Sequence, residues 1–136
     1  MPRTVSRADY YAYIQSPAWA EVKRRYLASK LPKCCDACKT PYGPGFHFHH
    51  RTYKNLGAER LMDIVPVCQP CHWKIHEEYK KNPRDGLWRA TTKVRSRHAR
   101  KARKKERKIA NGKRRAAIEL RKQQQRRLSD DGTSSH

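Results

Sequence analysis

The run Val67-Cys68-Gln69-Pro70-Cys71-His72-Trp73-Lys74-Ile75-His76 carries four side chains able to bind a metal within ten residues. Cys68 and Cys71 have the two-residue spacing of a tight turn, which brings both sulfurs to one ion at about 2.3 Å. On a helix Cys71 and His72 would project about 100° apart and would not easily serve one ion. His72 and His76, at i and i+4, share a helix face as a bidentate pair would. The stretch therefore predicts a turn with ligands for one ion, running into a helix with ligands for another.

Working outward, Cys35-Asp36-Ala37-Cys38 repeats the cysteine pairing, so Cys35, Cys38, Cys68 and Cys71 make a four-thiolate set for structural zinc. Between Cys38 and Cys68 lie 29 residues, more than the roughly 15–20 of a simple zinc ribbon, and the surplus has room for a strand, a loop and a second strand. Cys34 offers an alternative pairing with Cys38 at three-residue spacing, but the two-residue spacing is tidier and leaves Cys34 a bystander. Two pairs of unrelated reduced thiols are the plainer alternative. The helical pair His72 and His76 needs a third ligand, and His49-His50 on the returning strand provides candidates. Neighbouring strand residues face opposite ways, so one histidine can bind the ion while the other meets substrate. His47, His98 and His136 read as surface or hydrogen-bonding residues.

The rest of the chain falls around this centre. Ser6 with Asp9 resembles a capping box for a short helix through Tyr10, Tyr11, Tyr13 and Ile14. Ser16-Pro17 opens a second helix, with Trp19, Val22 and Tyr26 at helical spacing and Pro32 ending it. Phe46 to His50 alternates as a short strand, 51–60 reads as a loop, and Ile64, Val65 and Val67 form a second strand. A helix from about His72 to Lys80 follows, closed by Asn82-Pro83. Beyond Trp88 lysine and arginine dominate, and a segment with so few apolar residues cannot build a core of its own. It is expected to be a frayed or disordered basic arm that turns helical when phosphates neutralise it. The division is therefore 1–33 helical, 34–88 core and 89–136 basic arm.

Only 36% of the 136 residues are hydrophobic, and mean hydropathy is −1.13, so a metal staple is expected to supplement a small core. No apolar signal segment lies between Met1 and Lys30, and no run of about 18 apolar residues offers a membrane span. A cytoplasmic chain is expected, where repeated Cys-x-x-Cys reads as zinc before disulfide. Lysine and arginine number 33 against 12 acidic residues, a formal charge of +21, which points to nucleic acid as partner. A membrane surface fits poorly, because the basic stretch lacks an apolar face.

Taken together, Cys35-Asp36-Ala37-Cys38, the run Phe48-His49-His50-Arg51-Thr52-Tyr53-Lys54-Asn55-Leu56-Gly57-Ala58-Glu59, and Val67 to His76 resemble the HNH endonucleases. The likeness is strongest to small phage-type and bacterial members with a zinc-bound ββα-metal core. It extends from about Tyr10 to Glu77 and omits the basic arm. The resemblance implies an α+β fold: a small zinc-stapled ββα-metal core, preceded by an α-helix and followed by a basic helical or disordered arm. It makes His49, His72 and His76 ligands of a catalytic ion and His50 the general base. Asp63 takes the place of the motif's middle asparagine, a departure, since aspartate accepts the same loop hydrogen bonds but cannot donate them. The implied reaction is hydrolysis of DNA to a 5′-phosphate and a 3′-hydroxyl.

The chemistry is also legible without the family. A phosphodiester needs a water deprotonated in place, and an imidazole of ordinary pKa near 6.5 can do that at neutral pH. It also needs charge absorbed on the departing oxygen, which an ion supplies. An all-imidazole set favours Zn²⁺, Ni²⁺ or Mn²⁺ over Mg²⁺, though Mg²⁺ can support turnover while keeping most of its waters. Arg51 and Lys54 are candidate phosphate clamps, and Lys74 or Trp73 could approach the duplex. Removing residues after Trp88 is expected to weaken binding without abolishing chemistry. The protein is expected to be a monomer or homodimer. The alternatives are a non-catalytic zinc-stabilised module that binds DNA or RNA, and a basic RNA-processing protein.

Overall fold

The computed structural model describes residues 5–132. Ser6 and Ser16 each accept a hydrogen bond from the amide three residues on, at 3.1 Å and 3.3 Å, and so open α1 (Arg7–Ile14) and α2 (Pro17–Ala28). Pro17 occupies the first helical position, where a missing amide hydrogen costs nothing. α2 is capped by Ser29, short of Pro32, and turns Trp19, Val22 and Tyr26 inward. β1 (His47–His50) and β2 (Ile64–Val67) then pair antiparallel, with His49 opposite Val65 and His50 opposite Ile64.

That register assigns each side of the ribbon its own core. Val65 and Val67 pack with Cys35, Ala37, Cys71, Ile75, Ala90 and Val94, whereas Ile64 packs with Trp19, Val22 and Tyr26. Adjacent residues of a strand face opposite ways, so His49 falls with the first core and His50 with the second. Ile75 and Val67 are fully enclosed; cutting Ile75 back to alanine costs about 2–5 kcal/mol by the usual cavity argument. Along β2, the Pro66 carbonyl accepts from the Asp36 amide at 2.9 Å, which attaches the first cysteine turn to the ribbon.

α3 (Gln69–Lys81) begins three residues before the expected start at His72. Pro70 fits its first turn because amides there have no intrahelical partner, and Cys71 consequently sits on the helix itself. After a 3-10 turn at Pro83–Asp85, Gly86 adopts φ 81°, a left-handed conformation that glycine enters without a Cβ penalty, and the chain turns into α4 (Gly86–Asp131).

The chain divides into two units, Met1–Ala99 and Arg100–His136. The expected boundary at Trp88 is thus displaced: Leu87, Ala90, Thr91 and Val94 are buried and belong to the first unit. Their steps of three, one and three residues make one helix face, a pattern hidden among the surrounding cations. From Arg100 onward the described residues are helical to Asp131 and exposed throughout. Of the two expected states, disordered or helical, the segment is helix here because alanine, lysine, arginine and glutamine dominate it, and these are strong helix formers. No helix among the described residues is long and apolar enough to cross a membrane.

Candidate metal centre

Cys35 and Cys38 stand on the turn held by Cys35 N to Thr40 O at 2.8 Å and Lys39 N to Cys35 O at 2.9 Å. Lys39 carries a left-handed φ of 66° to close that turn. Cys68 caps α3 and Cys71 lies in its first turn. The four sulfurs fall within 4.8 Å of one another. The Cys38 and Cys68 sulfurs are 3.7 Å apart, whereas a tetrahedral ion with bonds of about 2.3 Å sets neighbouring sulfurs roughly 3.8 Å apart. All five cysteines are free, and Cys34 stands outside the cluster. The set fits zinc. Against the effect of burial, the Thr40 hydroxyl and amide hold the Cys38 thiol down to about 6, whereas burial pushes the Cys68 and Cys71 thiols up, so that Cys38 is deprotonated more readily than either before an ion arrives.

A second convergence lies on the same side of the ribbon. One nitrogen from each of His49, His72 and His76 falls within 4.8 Å of the others. The Nε2 atoms of His72 and His76 are 3.0 Å apart, near the roughly 3.3 Å spacing that bonds of about 2.0–2.1 Å impose at a tetrahedral ion. The His49 ring stands almost equally far from both partners, with centroids at 5.4 Å and 5.5 Å. Burial, then the neighbouring His72 and His76, push the His49 proton affinity well below its usual value. Burial followed by His76 and His47 lowers His72 to about 4, and burial with Lys80 lowers His76. All three rings are thereby kept neutral at physiological pH, the form in which imidazole binds metals.

His50, facing the other way, stacks on Trp19 with ring centroids 4.5 Å apart. Its Nε2 lies 3.2 Å from Glu59 Oε1, and its Nδ1 is buried with no protein partner. Glu59 also accepts from the Tyr13 hydroxyl at 2.6 Å and from the Gly57 amide at 3.0 Å. Burial raises the Glu59 carboxyl, but these donors and His50 outweigh it and keep the group ionised. An ionised carboxylate only accepts, so His50 carries its proton on Nε2 and its lone pair on Nδ1. Gly57, at φ 91°, supplies the left-handed turn that aims its amide at Glu59. His47, His49, His50, His72 and His76 line one cleft of about 280 Å³, walled by Tyr10, Trp19 and Tyr53 among others.

Asp63, fully enclosed at 0% exposure, accepts from Asn55 Nδ2 at 2.9 Å and from the Arg60 amide at 3.0 Å. Its backbone carbonyl takes the Arg51 amide at 2.7 Å. It thus ties the loop between the strands using acceptors alone. Arg51 and Lys54 line a neighbouring cleft with Arg60, Tyr79 and Trp88, and the Arg51 guanidinium lies 3.7 Å from the Trp88 ring centre. Lys74 and Trp73 are exposed on α3, Trp73 to 66%.

Glu59 and Thr91 escaped the sequence reading, and His47 and His98 were placed by it only as surface or hydrogen-bonding residues. Glu59 gave no signal beyond being an acid in a basic loop. His47 stacks on His72 at 4.8 Å, which its period-two relation to His49 foreshadows. His98, expected as a surface or hydrogen-bonding residue, places Nε2 3.6 Å from the Cys71 sulfur, and its spacing from Thr91 and Val94 marks the same helix face. The chain matches no protein-family model, no curated protein and no solved structure.

Proposed function

We propose that the protein is a metal-dependent endonuclease of the HNH type, with the ribbon and α3 as its ββα-metal core, hydrolysing DNA to a 5′-phosphate and a 3′-hydroxyl. The observation that carries the reading is one cleft lined both by His50, whose Nδ1 has no protein partner, and by three imidazoles that converge on one another. A structural zinc site alone does not call for such a cluster. His50 takes the proton from the attacking water at Nδ1. Glu59 holds the ring in the required tautomer and favours the imidazolium that forms, as the carboxylate of a catalytic triad does. His49, His72 and His76 would hold the catalytic ion, Mg²⁺, Mn²⁺, Ni²⁺ or Zn²⁺, which absorbs charge at the phosphate and departing oxygen when bound. Asp63 keeps the intervening loop closed behind His50. Arg51, Lys54 and Lys74, with the basic helix beyond Ala99, attract the phosphate backbone without reading sequence.

The second reading, a non-catalytic zinc-stabilised nucleic-acid-binding module, is favoured by the +21 charge alone. Supercoiled plasmid incubated with the protein and each of Mg²⁺, Mn²⁺ and Ni²⁺ separates the two. Cleavage is expected, with His50→Ala lowering its rate by about 10²–10⁴ while zinc content stays unchanged. Equal cleavage by both proteins removes His50 as the base, and no cleavage with any metal leaves the binding module. A preference for structured RNA over duplex DNA in competition would move the partner to RNA.

A further inference from the structure

Thr91 lies in the second turn of α4, only 1% exposed. Its Oγ1 is 2.8 Å from the Leu87 carbonyl and 3.0 Å from His49 Nε2. A hydroxyl has one hydrogen, and a carbonyl can only accept. The Thr91 proton therefore goes to Leu87, as threonine commonly bonds back to the preceding helical turn. What remains on Oγ1 is lone pairs, so the bond to His49 forms only if Nε2 carries hydrogen. A neutral imidazole has a single N–H, which leaves the His49 lone pair on Nδ1.

We propose that Thr91 is a positioning residue for the three-imidazole site: it locks His49 in the Nε2–H tautomer and thereby assigns ion binding to Nδ1. This deepens the reading above in one respect, since it requires that the imidazole cluster bind an ion, but not that the protein cleave DNA. Histidine ligands generally donate their second nitrogen to an outer acceptor that fixes ring and tautomer. Here the acceptor is a hydroxyl with its own orientation set by a helix carbonyl. It belongs to a helix that the sequence assigned to an appendage. His72 and His76 meet through Nε2, so the strand histidine and the helical pair bind through different ring nitrogens.

The test uses the full chain with its sulfur site loaded with zinc. Calorimetric titration with Ni²⁺ compares wild type, Thr91→Val, which keeps the shape and removes the acceptor, and Thr91→Ser, which restores it. Valine is expected to lower Ni²⁺ affinity about 10–100-fold, with zinc content and melting temperature near wild type, and serine to recover it. Long-range ¹⁵N–¹H correlation spectra of zinc-saturated wild type are expected to show hydrogen on His49 Nε2 and none on Nδ1. Hydrogen on Nδ1 overturns the proposal, as does a valine variant that binds Ni²⁺ like wild type. Should valine prevent folding, the wild-type spectrum still decides. A protein that binds Ni²⁺ with this Thr91 dependence and cuts no nucleic acid removes the nuclease reading and leaves the role of Thr91 standing.

Discussion

α4 is two regions in one helix. Residues 86–99 and 100–131 are both strongly basic, the first with four lysines and arginines and no acid, the second with fourteen against four acids. Only the first is built into a core. Leu87, Ala90, Thr91 and Val94 recur at helical spacing and are buried, while Ile109, Ile118, Leu120 and Leu128 of the second form no such row and are exposed. The cations of the first region meet acids of the domain. Arg97 reaches Glu78 at 2.9 Å, Lys93 reaches Asp85 at 3.3 Å, and Arg95 reaches Asp36 at 3.6 Å. Composition alone does not separate scaffold from appendage here; the register of a few small apolar side chains does.

The largest expected effect follows from cutting the helix at two places. A chain ending at Trp88 lacks Ala90, Thr91, Val94 and His98 together. It is expected to lose ordered structure and bound metal, measured by circular dichroism and zinc content. A chain ending at Ala99 is expected to keep both. Equal behaviour of the two truncations would erase the distinction, and survival of the shorter one would return the boundary to Trp88.

Next come single substitutions with one chemistry in both regions. Val94→Asp places an unpaired carboxylate in a closed core and is expected to cost at least about 3 kcal/mol. Ile109→Asp, on an exposed turn, should stay within about 0.5 kcal/mol. Urea denaturation followed by tryptophan fluorescence reads both.

Smaller is the effect on DNA affinity. Removing residues from Arg100 onward is expected to weaken binding and flatten its dependence on log salt, by about 0.9 for each phosphate that the shortened chain leaves unneutralised. Fluorescence anisotropy across roughly 50 to 200 mM salt measures it. An unchanged slope would mean that the exposed region does not touch the backbone.

The smallest difference expected between the regions concerns pH. Burial lowers the proton affinity of His50, and the opposing pull of Glu59 only partly restores it. A base must be unprotonated, so cleavage should hold as pH falls toward 6.5, the ordinary value for histidine, and decline below it. Full-length protein and the chain ending at Ala99 should share this acid limb in kcat/KM. A limb that moves with truncation would bring the exposed region into the chemistry.

Much of the centre was readable in advance because it is written in short spacings. Cys35 with Cys38, Cys68 with Cys71, and His72 with His76 are local pairs whose geometry follows from one turn or one helical step. The strands around His49 and Val65 were visible as alternation, and Ser6 and Ser16 as caps. The partners of Glu59, Thr91 and His98 were not, since each lies elsewhere in the sequence, Thr91 and His49 being 42 positions apart. No local periodicity encodes such a pairing.

The order of residues was enough to specify two clusters able to hold a metal, a further histidine and an electropositive chain, because side-chain type, spacing and charge are properties of short segments. Which ring nitrogen of His49 is free, which carboxylate holds His50, and where the scaffold ends along α4 depended on segments far apart being packed against one another. Hydrogen bonds and burial between such segments arise from the folded arrangement, and a linear pattern does not contain them.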